Sequence, residues 1–243
     1  RWRFVERFDA VREIQRRRLP ADAPVEWVPA LGTDPVDGCV LANEVLDNMP
    51  AHVFERTADG CREVYVTADG GRLTETLGPP SAEAAALAAR AMPHLEEGDR
   101  WEVRPGVRAW CQAAAATLRR GSLLVVDYGD VEPDLWLRRP AGSLVTYRDD
   151  RMGDDPLEAP GLADVTAHVD FSHLERSALA AGFTSPALRS QREFLRSLGL
   201  QEVVDRLRAE PGAAALAERS RVGALAAMGG LGDLLVFSAC RRR

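Results

Sequence analysis

Cys39-Val40-Leu41-Ala42-Asn43-Glu44-Val45-Leu46-Asp47-Asn48-Met49-Pro50 is the stretch whose reading decides the fold. It opens as a short apolar run, as a buried parallel strand does, and changes abruptly to Asn43, Glu44 and Asp47. In an open α/β sheet ligands bind beyond the carboxyl ends of the strands, so polar groups appearing there face the crevice. An ordinary strand end whose Asn and Asp cap the next helix reads equally well from these residues alone. Ser122-Leu123-Leu124-Val125-Val126-Asp127-Tyr128-Gly129 repeats the logic, an apolar strand with an acidic residue at its carboxyl end. Two adjacent strands ending in Asn43/Glu44 and Asp127 would put an amide and several carboxylates in one crevice.

Upstream, Arg1 to Arg7 reads as a strand and Asp9 to Leu19 as a helix capped by Asp9 and stopped by Pro20. Val25 to Val28 is a second strand and Gly38 to Asn43 a third. The order strand, helix, strand, connection, strand predicts a mostly parallel sheet with right-handed crossovers. From His52 to Leu77 three β-like runs are separated by Ala58-Asp59-Gly60 and Ala68-Asp69-Gly70-Gly71, which are hairpin signals. An antiparallel meander therefore interrupts the parallel sheet. Helices are expected over Ala82 to Met92 and Val107 to Leu118, the latter stopped near Gly121. Gly129 to Phe171 reads as irregular, broken by prolines, and carries Tyr147, Arg148, Asp149, Asp150, Asp164, Thr166, His168 and Asp170. A connection this long inside a compact domain is usually functional. Helices follow over Ser172 to Ala181 and through the C-terminal third, and Asp233 to Cys240 is the final strand.

At 243 residues the chain makes one large domain, or one domain with a sizeable insertion. The expected division is a core of residues 1–50 and 121–243 and an inserted β/helical subdomain of residues 51–120 on the substrate side. All 31 basic residues are arginine, against 37 acidic, for a net charge of -6. Such a chain, without a long basic block, is a poor nucleic-acid binder, and Arg241 to Arg243 read as a solvated end. Cys39, Cys61, Cys111 and Cys240 are scattered without metal-ligand spacing, and Cys39 and Cys240 read as buried thiols. With no signal peptide in view this predicts a reducing, cytoplasmic setting, and no apolar stretch is long enough to span a bilayer.

The chain resembles the MidA-like family of S-adenosylmethionine-dependent methyltransferases, which includes the mitochondrial complex I assembly-factor methyltransferase. The matching pieces run in family order. Val5-Glu6 with Arg12-Glu13-Ile14-Gln15-Arg16 resembles its second strand and following helix, and Asn43 to Pro50 its Asn-Glu-x-x-Asp-x-x-Pro signature. Val126-Asp127-Tyr128-Gly129 resembles its Asp-Tyr-Gly strand end. Gly161 with Asp164 to Phe171, then Gln191, Phe194-Leu195, Leu198-Gly199 and Met228-Gly229, complete the set. In three places the chain departs from the pattern. Phe8 stands where a serine is expected, the Tyr147 to Asp150 stretch has no histidine, and the Gly-rich loop that cradles the methionine end of the cofactor would precede Arg1.

The resemblance implies an α/β, Rossmann-like class I methyltransferase sheet with the meander inserted, and S-adenosyl-L-methionine as cofactor. The sulfonium is already an activated methyl donor, so the protein mainly holds donor and acceptor in line and excludes water. Glu6, at a strand end, is placed to accept both ribose hydroxyls. Leu31, in the loop after the next strand, would line the adenine pocket, and Asn43 and Glu44 would lie beside the donor methyl. The acceptor implied is a protein arginine, with a respiratory-complex-like subunit among the partners. Guanidinium is bound bidentately by planar anions, and an asymmetric carboxylate pair can localise its lone pair. Asn43, Glu44, Asp47, Asp127 and His168 are therefore the candidate catalytic set, His168 as a base of suitable range, although it reads equally well as a hydrogen-bonded structural histidine. Asp164, Thr166, Asp170 and Tyr128 are the candidate substrate contacts, although Asp164 and Asp170 read equally well as turn and cap residues. A small-molecule methyltransferase and a non-catalytic assembly scaffold stay open as alternatives, as does the oligomeric state, a dimer included.

Overall fold

The computed structural model describes residues 1–32, 34–149, 151–158 and 160–242; Asp150 and Arg243 lie outside the described residues. The first unit is β1 (Trp2–Val5), α1 (Asp9–Arg18) and β2 (Val25–Val28), with the strands parallel in the register Trp2↔Val25 to Val5↔Val28. Asp9 does not cap the helix: Phe8 holds that position without a side-chain bond, and Asp9 lies in the first turn paired with Arg12 at 3.0 Å. No residue of α1 is buried. Trp27 ties the helix to the strands, its Nε1 donating to Gln15 Oε1 at 2.7 Å and its ring taking the Arg16 guanidinium at 5.0 Å.

After β3 (Val36–Asn43) come β4 (His52–Thr57), β5 (Gly60–Asp69) and β6 (Arg72–Gly78), then α2 (Ala85–Ala91) and β7 (Arg100–Val103). The last four strands form one antiparallel sheet in the order β6-β5-β4-β7. The small residues Ala84, Ala88 and Ala91 let α2 approach Phe54 and Trp101, whose rings stack at 5.6 Å in a second core with Leu135 and Trp136.

α3 (Gly106–Thr117) runs without a break into β8 (Leu118–Asp127). The helix thus ends before Gly121, which lies inside the strand at φ +144°, where a Cβ would run into the Gly38 carbonyl of β3. Next come β9 (Gly129–Asp130), α4 (Asp134–Leu137), β10 (Val145–Arg148), β11 (Arg151–Gly153), β12 (Asp164–Thr166), β13 (Val169–Asp170) and α5 (Phe171–Ala180). The segment expected to be irregular therefore holds a three-stranded antiparallel sheet, β11-β10-β12, and a parallel β9–β13 pair. The chain closes with β14 (Thr184–Ser190), α6 (Gln191–Ser197), α7 (Leu200–Ala209), α8 (Ala213–Ala224) and β15 (Leu235–Arg241).

The central sheet has the order β14-β15-β8-β3. β3 and β8 are parallel, whereas β15 runs antiparallel to both of its neighbours. The fold is α/β with mixed sheets: among the described residues most strand pairings are antiparallel, those of the expected meander included, and in the central sheet only β3–β8 is parallel. An apolar run such as Leu235-Val236-Phe237 specifies burial and not direction. Val107, Cys111, Ala114 and Ala115 of α3 and Phe171, Leu174 and Ala178 of α5 pack on Val40, Ala42, Leu123, Val125 and Phe237 to form the main core. Leu31 packs against this core, and the Gly32 N–H donates to Thr117 Oγ1 at 2.7 Å. Among the described residues β3 pairs with β8 on one side, and Leu41 is 56% exposed and Cys39, expected to be buried, is exposed.

Candidate active site

The register Asn43↔Val126 makes β3 and β8 end side by side, and the Glu44 N–H adds one more rung to the Val126 carbonyl at 2.9 Å. The chain then turns with Glu44 at φ +49°, a conformation unfavourable for a side chain of this size. Asn43 and Glu44 stay exposed. The Glu44 carboxylate is oriented from both sides, by the Asn43 amide on Oε1 at 3.1 Å and the Tyr128 phenol on Oε2 at 2.9 Å. Burial, and then the bond to Glu44, pushes the Tyr128 phenol up to about 12, so it stays a donor throughout the neutral range.

Asp127 lies elsewhere. The pleat sends Asn43 to the face of Val126 and Asp127 to the opposite face, that of Val125 in the main core. Asp127 is 0% exposed. Its Oδ2 accepts the N–H groups of Leu46 at 3.0 Å and Asp47 at 3.3 Å, and its Oδ1 that of Tyr128 at 2.9 Å. Burial and then the Asp47 charge raise it to about 6 against the pull of those three N–H groups. The expected convergence of Asn43 and Asp127 on one methyl is therefore corrected: Asp127 organises the turn from beneath. Asp47 is also buried, with Oδ1 taken by Asn48 at 2.8 Å and Oδ2 by the Thr166 hydroxyl at 2.9 Å. Thr166 thus joins the site as a partner of Asp47, not as an exposed contact.

The other candidates separate. Asp164 is exposed on β12, opposite Tyr147. Asp170 caps α5, its Oδ1 accepting the His173 N–H at 2.9 Å, so of its two readings the cap is the one observed. Burial raises Asp170, while Glu132 beside it is held low by Arg90 and Arg176 against its own burial. His168 is half-buried, 6.5 Å from the Tyr128 ring between centroids, and its Nδ1 is buried without a hydrogen-bond partner. Burial and then the Arg139 charge push His168 down to about 4, which corrects the expectation of a base titrating near neutrality. Glu6 ends β1, half-buried, with Oε1 accepting the Phe8 N–H at 2.8 Å.

Two residues missed in the sequence, Arg104 and Ser143, frame the site. Arg104, 5% exposed between β7 and α3, bonds four backbone carbonyls: Met49, Asp47, Ala167 and His168. Ser143 accepts the His168 N–H at 3.0 Å and donates to Glu102 at 2.8 Å. The available signal for Arg104 was its place directly after the alternating Trp101-Glu102-Val103 strand and before Pro105, where a helix begins.

Among the described residues no helix is long and apolar enough to cross a membrane. A family profile described as "Putative S-adenosyl-L-methionine-dependent methyltransferase" matches residues 1–188. The chain is 33% identical over 185 residues to human "Protein arginine methyltransferase NDUFAF7, mitochondrial", which covers 73% of this chain and 39% of that protein. The Bos taurus protein of that name is 34% identical over 184 residues, again 73% and 39%. The chain thus spans about two fifths of the length of these relatives. Their names place them in mitochondria, which overturns the cytoplasmic setting read from the cysteines. Among solved structures, a "likely methyl transferase" from Burkholderia thailandensis bound to S-adenosyl-homocysteine superposes with a TM-score of 0.87 at 30% identity, covering 98% of this chain and 63% of that one. A native structure from the same organism gives 0.89 at 30% identity, with 98% and 66% covered.

Proposed function

We propose a function from one premise: the chain belongs to the family of S-adenosyl-L-methionine-dependent methyltransferases. On that premise it forms most of a methyltransferase whose acceptor is a protein side chain, arginine before any other. The fold reading that goes with it is a Rossmann-like class I core of residues 1–50 and 121–243, with residues 51–120 inserted on the acceptor side. The parallel pairs β1–β2 and β3–β8 and the likeness to a structure bound to S-adenosyl-homocysteine support it.

The residues present fit the nucleoside half of the cofactor. Glu6, anchored by the Phe8 N–H at the carboxyl end of a parallel strand, would accept the ribose hydroxyls, and Leu31 would back the adenine. When bound, the cofactor supplies a sulfonium methyl that needs no further activation. The protein's part is then to orient the acceptor and exclude water. Glu44 is the observation that carries this reading. It is an exposed carboxylate directly after β3, held by two neutral donors, with lone pairs left to take a guanidinium. Asp164 is the second exposed carboxylate for acceptor contact. Asp47 and Asp127 fix the turn that presents Glu44, and neutral His168 keeps its buried Nδ1 without a protein hydrogen-bond partner.

The test is transfer of labelled methyl from S-adenosylmethionine to a library of single-arginine peptides by the full-length protein, read by mass spectrometry. Arginine carrying one or two added methyl groups is expected. Cofactor binding with no methyl on any arginine would move the acceptor to another class.

A further inference from the structure

We infer that Arg104 is a positioning residue for the transfer reaction, its guanidinium latching the Asn43–Pro50 turn and the Thr166–Asp170 segment into one wall of the site. This rests on the reading above that those two segments carry the acceptor side.

A guanidinium offers five N–H donors in a fixed planar fork. In Arg104, Nη2 reaches the Ala167 carbonyl at 2.7 Å and the Asp47 carbonyl at 2.9 Å, so one nitrogen bridges the two segments. Nη1 takes the His168 carbonyl at 2.8 Å, and Nε the Met49 carbonyl at 3.3 Å. Direct bonds between the segments are otherwise few: the Ala167 N–H to the Asp47 carbonyl at 3.3 Å and the Thr166 hydroxyl to the Asp47 carboxylate at 2.9 Å. The side chains attached to the gripped carbonyls include Asp47, which supports the turn, and His168, whose orphaned Nδ1 lies near Tyr128.

The charge is also placed. Burial lowers the Arg104 guanidinium from its ordinary value, and the carboxylates of Glu102, Asp127, Asp47 and Asp170 around it oppose that loss. A buried cation with four carbonyl partners and surrounding acids is costly to remove and specific in geometry. It is delivered by the residue after β7, whose Val103 pairs with His52 directly beyond the turn. The antiparallel sheet therefore sets where the latch sits.

The experiment uses the full-length protein. Native-state hydrogen exchange of the unsubstituted protein should show the amides of Leu46, Asp47, Ala167 and His168 opening in one step, with a common denaturant dependence. Arg104→Lys keeps the charge and loses the fork. It should raise exchange at those four amides by about tenfold or more while leaving Leu123 to Val126 unchanged. It should also lower kcat on the single-arginine peptides by about tenfold with KM within about twofold, measured well below the melting temperature. Opening constants for Leu46 and Ala167 that differ by more than about tenfold in the unsubstituted protein would overturn the proposal, and that arm does not depend on the variant folding. So would an Arg104→Lys protein with exchange and kcat both within about twofold of the original. Absence of transfer by the unsubstituted protein sinks the arginine reading instead, and the exchange arms then decide whether Arg104 is the latch.

Discussion

Tyr128 donates a phenolic hydrogen bond to Glu44 at 2.9 Å across 84 residues of sequence, joining the residues that directly follow two parallel strands above a turn that Asp127 holds from below. Tyr128 is 39% exposed, so little packing depends on its hydroxyl. Tyr128→Phe removes one donor to a charged acceptor, worth about 1.5 kcal/mol where the carboxylate must be aimed. The expected result is kcat/KM on arginine peptides lower by about tenfold, with unfolding free energy within about 0.5 kcal/mol of the parent. A urea melt and steady-state kinetics on one preparation check both halves.

Asp127 gives the opposite pattern. Asp127→Ala leaves the N–H groups of Leu46, Asp47 and Tyr128 without their acceptor in a fully buried place. The expected loss is about 3–5 kcal/mol in a urea melt. Asp127→Asn keeps one oxygen for Leu46 and Asp47 but turns an amide donor toward the Tyr128 N–H. It should cost about 1–2 kcal/mol, less than the alanine variant. Equal losses from the two variants would mean that the amide oxygen left to Leu46 and Asp47 contributes nothing and that both carboxylate oxygens are required, since asparagine keeps the side-chain volume that alanine loses.

The strand ends were readable because composition changes there within one residue, from Ala42 to Asn43 and from Val126 to Asp127. Which acids reach solvent was not readable, since that depends on the pleat and on which neighbour supplies N–H groups. Asp47 and Asp127 look like Glu44 in sequence and differ from it only in partners. Cys39 and Leu41 are exposed although they lie in an apolar run, because such a run does not reveal which of its residues a neighbouring element covers. The strands β10, β11 and β12, of three or four residues each, are too short for alternation to register. Arg104 was hidden among many arginines, because a local pattern holds no record of four carbonyls contributed from elsewhere in the chain.

Gly129 is fixed by its neighbour across the β9–β13 pair. A Cβ there would run into the Val169 carbonyl and the Phe171 ring. The carbonyl belongs to backbone in the core and cannot swing aside. Gly129→Ala should therefore destabilise by about 2 kcal/mol or more and displace the Thr166–Asp170 segment. A thermal melt and the ring-current shifts of His168 beside Tyr128 report the two effects separately.

His168 gives a pH dependence whose sign is fixed. Its folded-state pKa of about 4 lies below the ordinary histidine value, because burial and then Arg139 disfavour the imidazolium. Below pH 6.5 the unfolded chain takes up a proton that the folded chain refuses until about pH 4. The stability contributed by neutral His168 is therefore complete above pH 6.5 and is lost as pH falls toward 4. Discounted for partial exposure, the full swing is about 2 kcal/mol. Asp127, raised to about 6, acts in the opposite direction over an overlapping window, since a carboxyl held protonated by burial favours the folded state as pH falls. Subtracting the urea-melt profile of His168→Gln from that of the parent cancels the Asp127 contribution and isolates the histidine. The difference should be flat from pH 8 to 7 and should move against the parent by about 1 kcal/mol or more on reaching pH 5. A flat difference down to pH 5 would place the imidazole in solvent with an ordinary pKa, in conflict with the buried Nδ1 observed here.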